Sequence, residues 1–241
     1  MYRQFEEASD TGPCEAGPCT GCLARARAIC GTLAGAELAA FGAMGRHRRL
    51  TRGQTLMWEG DAAACVANVI SGVLKLTTAG VGGDEQIVGL AWPSDFIGSP
   101  FGTNMQFSVT ALTDGEVCLF GRADFENFLT VHPDLERALL RRAFADLEQM
   151  RGFMAMLGRR TAGQRVAALL LALAGAEDGA EKDGNLIALP LSRQEMADLL
   201  GLTIETVSRQ LGRLTDAGLI ALPDRRSVLV RRREALTTFA A

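Results

Sequence analysis

Cys14, Cys19, Cys22, Cys30, Cys65 and Cys118 are the residues of this chain best suited to soft-metal or redox chemistry. Four of them fall within residues 1–31, and Cys19-Thr20-Gly21-Cys22 is a C-x-x-C pair that lets two sulfurs leave one tight turn. Thiolates are soft donors, so four cysteines gathered from this set could hold zinc or another thiolate-bound metal centre, and spacing alone does not choose. A disulfide framework is not expected. The N-terminal MYRQFEEASDTGPCEAG lacks the basic-then-apolar layout of a signal peptide, and a cytoplasmic chain keeps its thiols reduced. An enzyme is not expected either. The C-x-x-C pair does not follow a strand and open a long helix as a thioredoxin-type motif should, and no Ser-His-Asp or paired-carboxylate set stands out. Cys65 falls in a strand-like run and is expected to be a small buried apolar residue.

A second set of chemistry-bearing residues lies in Leu191–Leu219, LSRQEMADLLGLTIETVSRQLGRLTDAGL. Ser192 and Glu195 have the spacing of a capping box, and Met196, Leu199 and Leu200 then recur at helical spacing. Gly201 stands where that helix must stop, and Thr203 can cap a second one. The second helix carries Ile204, Val207, Leu211 and Leu214 on one side. Glu205, Ser208, Arg209 and Arg213 lie on another, at spacings of three and four. An apolar back that docks and a polar front that enters a major groove are what a recognition helix needs. Arginine pairs bidentately with guanine, glutamate accepts from the cytosine amino group, and a small hydroxyl residue can meet a thymine edge. The DNA-contacting set expected here is Thr203, Glu205, Ser208, Arg209 and Arg213. An ordinary amphipathic surface helix is the plainer alternative. The capping box, the turn glycine and the polar set together favour a DNA reader. Arg225, Arg226, Arg231, Arg232 and Arg233 flank Ser227-Val228-Leu229-Val230, as a strand and turn of a wing would, and suit phosphate contacts.

These residues need a scaffold, and 241 residues, 48% of them hydrophobic, suffice for two cored domains. No apolar run is long enough to span a membrane, and a cytoplasmic protein is expected. The net charge of −3 excludes a wholly basic nucleic-acid coat but leaves room for a local patch. From about Leu50 to Phe120, short apolar runs alternate with glycine, among them Val66–Ile70, Val73–Thr77 and Gln86–Leu90, which predicts a β-sandwich or roll. A short helix is predicted over Leu33–Met44, another turn or two over Ala123–Leu129, and a long helix from Pro133. On the long helix Leu140, Leu147 and Met154 recur every seven residues, with Ala143, Met150 and Leu157 between them. This is a coiled-coil-type seam, and readers of paired half-sites need a dimer. Thr161–Leu173 is predicted helical with Val166, Leu169, Leu170 and Leu173 buried. Glu177–Asn185 is predicted to be an exposed loop or hairpin, and Leu186–Leu189 a short strand. The segment after Glu234 carries little signal.

This order of elements resembles the Crp/Fnr family of bacterial transcription regulators over nearly the whole chain. Glu205-Thr206-Val207-Ser208-Arg209 matches the E-x-x-S-R recognition motif of the Fnr branch. Gly72-Val73-Leu74-Lys75 and Gly83-Asp84-Glu85-Gln86-Ile87 are similar to its β-roll. The resemblance implies an α+β chain with four parts: a cysteine-bearing head (1–31), a cyclic-nucleotide-binding-like β-roll sensor (32–132), a dimerisation helix (133–159) and a winged helix-turn-helix (160–241). It implies a homodimer that reads TTGAT-like palindromes on double-stranded DNA through Glu205, Ser208 and Arg209, and that touches RNA polymerase. It also implies an oxygen-labile [4Fe–4S] cluster on Cys19, Cys22, Cys30 and Cys118, Cys118 matching the position of the branch's fourth ligand. Cys14 is the alternative to Cys19. The Cys22-to-Cys30 gap is longer than in the branch's best-known member. A family member whose cysteines bind zinc or act as a thiol switch is the alternative function. Cyclic nucleotide is not expected, because Phe96–Thr110 offers no arginine or lysine to meet a buried phosphate. Haem is not expected either, because His47 and His132 stand without a signature around them.

Overall fold

The computed structural model describes Cys19 and residues 21–80, 85–159, 161–176 and 186–241. Cys14, the turn at Gly83-Asp84 and the loop predicted over residues 177–185 lie outside the described residues. A 3₁₀ turn at Ile29–Thr32 leads into α1 (Gly35–Met44). There follow β1 (Arg46–Leu50), β2 (Thr55–Met57), β3 (Cys65–Ser71), β4 (Leu74–Ala79), β5 (Glu85–Ala91), β6 (Phe96–Gly98), β7 (Ser108–Ala111) and β8 (Gly115–Gly121). Then come α2 (Arg122–Val131), α3 (Pro133–Arg159), α4 (Ala162–Ala176), β9 (Leu186–Ala188), α5 (Arg193–Leu200), α6 (Ile204–Asp216), β10 (Ile220–Ala221), β11 (Ser227–Val230) and α7 (Arg233–Ala240).

The first eight strands form two four-stranded sheets, ordered β1-β8-β3-β6 and β2-β7-β4-β5. This is the sandwich that the short strands and glycine turns predict. Gly72 illustrates why glycine marks the turns: its φ is 81°, and a Cβ there would lie 2.7 Å from the Asp114 carbonyl oxygen. The described residues divide into two compact units. One holds those up to Leu74 with Ala91–Arg142, the other Lys75–Leu90 with those from Ala143 onward.

In the first unit, β3 and β8 turn Val66, Cys118 and Phe120 toward α1, α2 and the start of α3. Phe41 of α1 is the hub of that layer, with ring centroids 4.4 Å from Phe120 and 5.3 Å from Phe128. Leu135 and Leu139 anchor the first turns of α3 in the same core. His132 follows α2 as its C-cap, donates from Nδ1 to the Phe128 carbonyl at 2.8 Å and stacks on the Phe128 ring, which is a capping role. Pro133 opens α3, where its missing amide costs nothing.

In the second unit the sheet β10-β11-β9 is antiparallel, with Val228 opposite Ile187 and Ile220 opposite Val230. Val166, Leu169, Leu170 and Leu173 of α4 are all buried, as their spacing predicts. α7 occupies the segment that carried little signal, and its Leu236 and Ala240 are buried. No helix among the described residues is long and apolar enough to cross a membrane.

Candidate nucleic-acid interface and cysteine pocket

α5 and α6 are built by local chemistry. The Glu195 amide donates to Ser192 Oγ at 3.2 Å, and the Ser192 amide donates to Glu195 Oε2 at 2.6 Å, so both halves of the capping box are made. Gly201 ends α5 in the left-handed conformation at φ 61°, ψ 46°. The Thr206 amide then donates to Thr203 Oγ1 at 3.3 Å and starts α6. Val207, Leu211 and Leu214 are buried, whereas Thr203, Glu205, Ser208, Arg209 and Arg213 are exposed. Ile204 departs from expectation: it is exposed rather than part of the docked face, and Gln210 is the buried side chain in its place. Position 204 is the first residue of the helix, where the chain still enters from the turn.

Glu205 is held below the ordinary carboxylate range by its own backbone amide and by the Thr203 hydroxyl. An acceptor-only carboxylate at the front of a helix is the form that can take a proton-bearing amino group. In the loop before β11, the Arg226 amide donates to Asp224 Oδ1 at 2.6 Å and the Ser227 hydroxyl to Asp224 Oδ2 at 2.5 Å, so one carboxylate closes the turn. The Ser227 hydroxyl is also the main reason the Asp224 carboxyl lies below its usual range. Arg225, Arg226, Arg231, Arg232 and Arg233 are exposed around it. The arrangement is a helix-turn-helix with a basic wing.

The cysteines gather elsewhere, in the first unit. Cys118 lies on β8, opposite His47 of β1 and Asn68 of β3. Its side chain falls on the sheet face that carries Phe120 toward α1. The end of α1 makes room for sulfur: a Cβ on Gly42 would lie 2.7 Å from Cys19 Sγ, and one on Gly45 would lie 2.8 Å from Cys118 Sγ. Cys19 and Cys30 pack against the same core as Cys118. Burial is the main cause that pushes the Cys30 thiol up to about 11, and neighbouring Cys22 and Cys19 add to it. Cys19, Cys30 and Cys118 thus border one core, and Cys22 neighbours Cys30. Among the described residues no group of three or more His, Cys, Asp or Glu side chains forms a ready-made site for a metal ion. Cys65 is half-buried as the first residue of β3. Alternation puts it on the sheet face opposite Asn68.

Sequence reasoning missed what fastens this region. Ser94, between β5 and β6, is buried with φ 81°, a strained value for a residue with a side chain. Its hydroxyl donates to the Ala24 carbonyl, between Cys22 and Cys30, at 2.8 Å, and its amide donates to Val69 O at 2.8 Å. The next residue, Asp95, takes Arg142 Nη2 of α3 on Oδ1 at 2.5 Å and the Trp92 amide on Oδ2 at 2.9 Å. A short chain of contacts therefore runs from the cysteine loop to the long helix. The turn-forming run Pro93-Ser94-Asp95 is the signal that could have found it.

A β-sandwich of the cyclic-nucleotide-binding type followed by a winged helix-turn-helix defines a class of DNA-binding transcription regulators. Residues 47–132 match the cyclic nucleotide-binding domain, and residues 164–239 match the Crp-like helix-turn-helix domain. The chain is 41% identical over 217 residues to the transcriptional activator protein FnrL of Cereibacter sphaeroides, covering 88% of this chain and 87% of that one. It is 40% identical over 211 residues to the nitrogen fixation regulation protein FixK of Bradyrhizobium diazoefficiens, covering 85% and 86%. The solved structure of FixK2 from Bradyrhizobium japonicum superposes with a TM-score of 0.75 at 28% identity, over 82% of this chain and 98% of that one. The chain belongs to the Crp/Fnr family of DNA-binding transcription regulators.

Proposed function

We propose that this protein is an oxygen-responsive transcriptional activator, a homodimer that binds palindromic TTGAT-like sites when its cysteines hold a [4Fe–4S] cluster. The observation that supports the reading is Cys19 Sγ beside Gly42 and Cys118 Sγ beside Gly45 at the end of α1, with Cys30 packed on the same core and Cys22 near Cys30. The donor set fits, since four thiolates are the usual ligands of such a cluster. The four cysteines would hold it there, and when bound it would supply an oxygen-labile centre.

The chain's own residues supply the rest. Ser94 and Asp95 tie the Cys22–Cys30 loop to Arg142, one residue before Ala143. Ala143, Leu140, Leu147, Met150 and Met154 are exposed on one side of α3, and Leu157 is half-exposed. Pairing of two such helices would cover that stripe and present two copies of α6 to successive major grooves, about 34 Å apart. There Arg209 would donate to guanine, Glu205 would accept from cytosine, Ser208 would meet thymine, and Thr203 and Arg213 would flank them. The wing arginines would hold phosphates. Contact with RNA polymerase is part of the reading through the family alone. FnrL is named a transcriptional activator, and the same role is proposed here.

The test is anaerobic purification with iron, sulfide and zinc analysis, followed by DNA binding before and after air. About four irons per chain, with site binding lost as the colour bleaches, is the expected result. Stoichiometric zinc without iron would sink the oxygen-sensing reading and leave the DNA-binding one intact.

A further inference from the structure

Asn68 is the one buried side chain among the described residues with a polar atom left without a partner: its Oδ1 has no hydrogen bond. The residue is 3% exposed. Its surroundings are apolar or sulfur-bearing. Phe96 and Cys118 stand opposite it on the flanking strands, and its Nδ2 donates to Cys30 Sγ at 3.9 Å. Val66 and Ile70, its neighbours on the same face of β3, belong to or pack against the core shared with Ile29, Leu33 and Leu139. An apolar residue of similar size would satisfy that core, whereas a buried amide with an unmet oxygen works against it. The oxygen finds no donor, and what the carboxamide offers its surroundings is the N–H pair, already aimed at the Cys30 sulfur.

Sulfur in the thiolate form is an acceptor with no proton to give. A protonated thiol offers the amide only weak bonds. A metal-bound thiolate carries negative charge and accepts a charge-assisted bond. Asn68 lies between two of the four cysteines, one reached by its amide nitrogen and the other directly across the strand pair. We propose that Asn68 is a positioning residue for the iron–sulfur centre, donating N–H hydrogen bonds to its cysteinyl sulfurs and thereby slowing its oxidation. This inference rests on the cluster reading above. Hydrogen bonds to ligand sulfurs withdraw charge and favour the more reduced state, so removing the donor exposes the centre to oxygen.

The experiment compares anaerobically reconstituted wild-type protein with Asn68→Leu, which keeps the approximate size and removes both donors. Iron and sulfide content, resonance Raman spectra in H2O and D2O, and the rate of bleaching in air are measured. The Leu variant is expected to retain wild-type iron and sulfide, to bleach roughly fivefold faster, and to lose part of the D2O shift of the Fe–S(Cys) stretches. Should Asn68→Leu fail to assemble, Asn68→Ala adds no bulk and carries the same comparison. A loaded variant that bleaches at the wild-type rate with unchanged stretches overturns the inference and leaves the cluster reading standing. Wild-type protein without iron overturns both, and that is known before any variant is made.

Discussion

α6 and α3 carry apolar residues at the same helical spacing, and the fold uses them in opposite ways. On α6, Val207, Leu211 and Leu214 are no more than 2% exposed and form the core of the second unit. On α3, Leu140, Phe144, Leu147, Met150 and Met154 are 40–61% exposed, and only Leu135 and Leu139 at its start are buried. A stripe that its own unit covers is core. The uncovered stripe is the one the proposed homodimer would bury, since isolated apolar side chains are common on surfaces but contiguous ones are not. Phe144 also belongs to the α3 stripe, one residue beyond Ala143, although the seven-residue pattern did not select it.

The contrast can be broken at four points. Leu211→Ala empties a fully buried site and is expected to cost about 2–5 kcal/mol of stability, read from denaturant unfolding of the whole chain. Leu147→Glu on α3 is expected to leave unfolding of dilute protein nearly unchanged. It should move sedimentation toward the monomer and weaken binding to a palindrome by roughly tenfold or more. Equal destabilisation by the two substitutions would erase the distinction between core and seam.

The outward face of α6 sharpens the comparison. Arg209→Ala removes no buried area. It should lower affinity by about 1–3 kcal/mol and relax preference at one guanine, with an unchanged melting temperature. The smallest effect is expected in the wing. Arg226→Ala should weaken all sequences alike and reduce the slope of log affinity against log salt by about one, as measured by titration at several salt concentrations.

Legibility in the sequence followed the range of the interactions. Ser192, Glu195, Gly201 and Thr203 announce the helix-turn-helix because caps and turn ends act over three or four residues, and each bond they imply is made. The alternation of apolar runs and glycine likewise announces the sandwich, since strand periodicity and turn conformation are local. α7 was missed because a single turn's worth of apolar spacing, Leu236 and Ala240, is too little periodicity to separate from a tail. Ile204 was misjudged because periodicity does not register the bend of the chain as it enters a helix.

The cysteine region divides along the same line. The amino-acid sequence by itself determined that soft donors cluster near the N-terminus, that α6 has a reading face and that α3 has an apolar seam. Tertiary structure alone decided that Cys118 comes to the end of α1 beside Cys19, that Gly42 and Gly45 leave the space, and that Ser94 and Asp95 join the cysteine loop to Arg142. It also decided that Asn68 is the amide buried among sulfurs. Those relations join residues tens of positions apart through strand register and helix packing. No local spacing encodes them, because they exist only once the sheet and the helices have closed over one another.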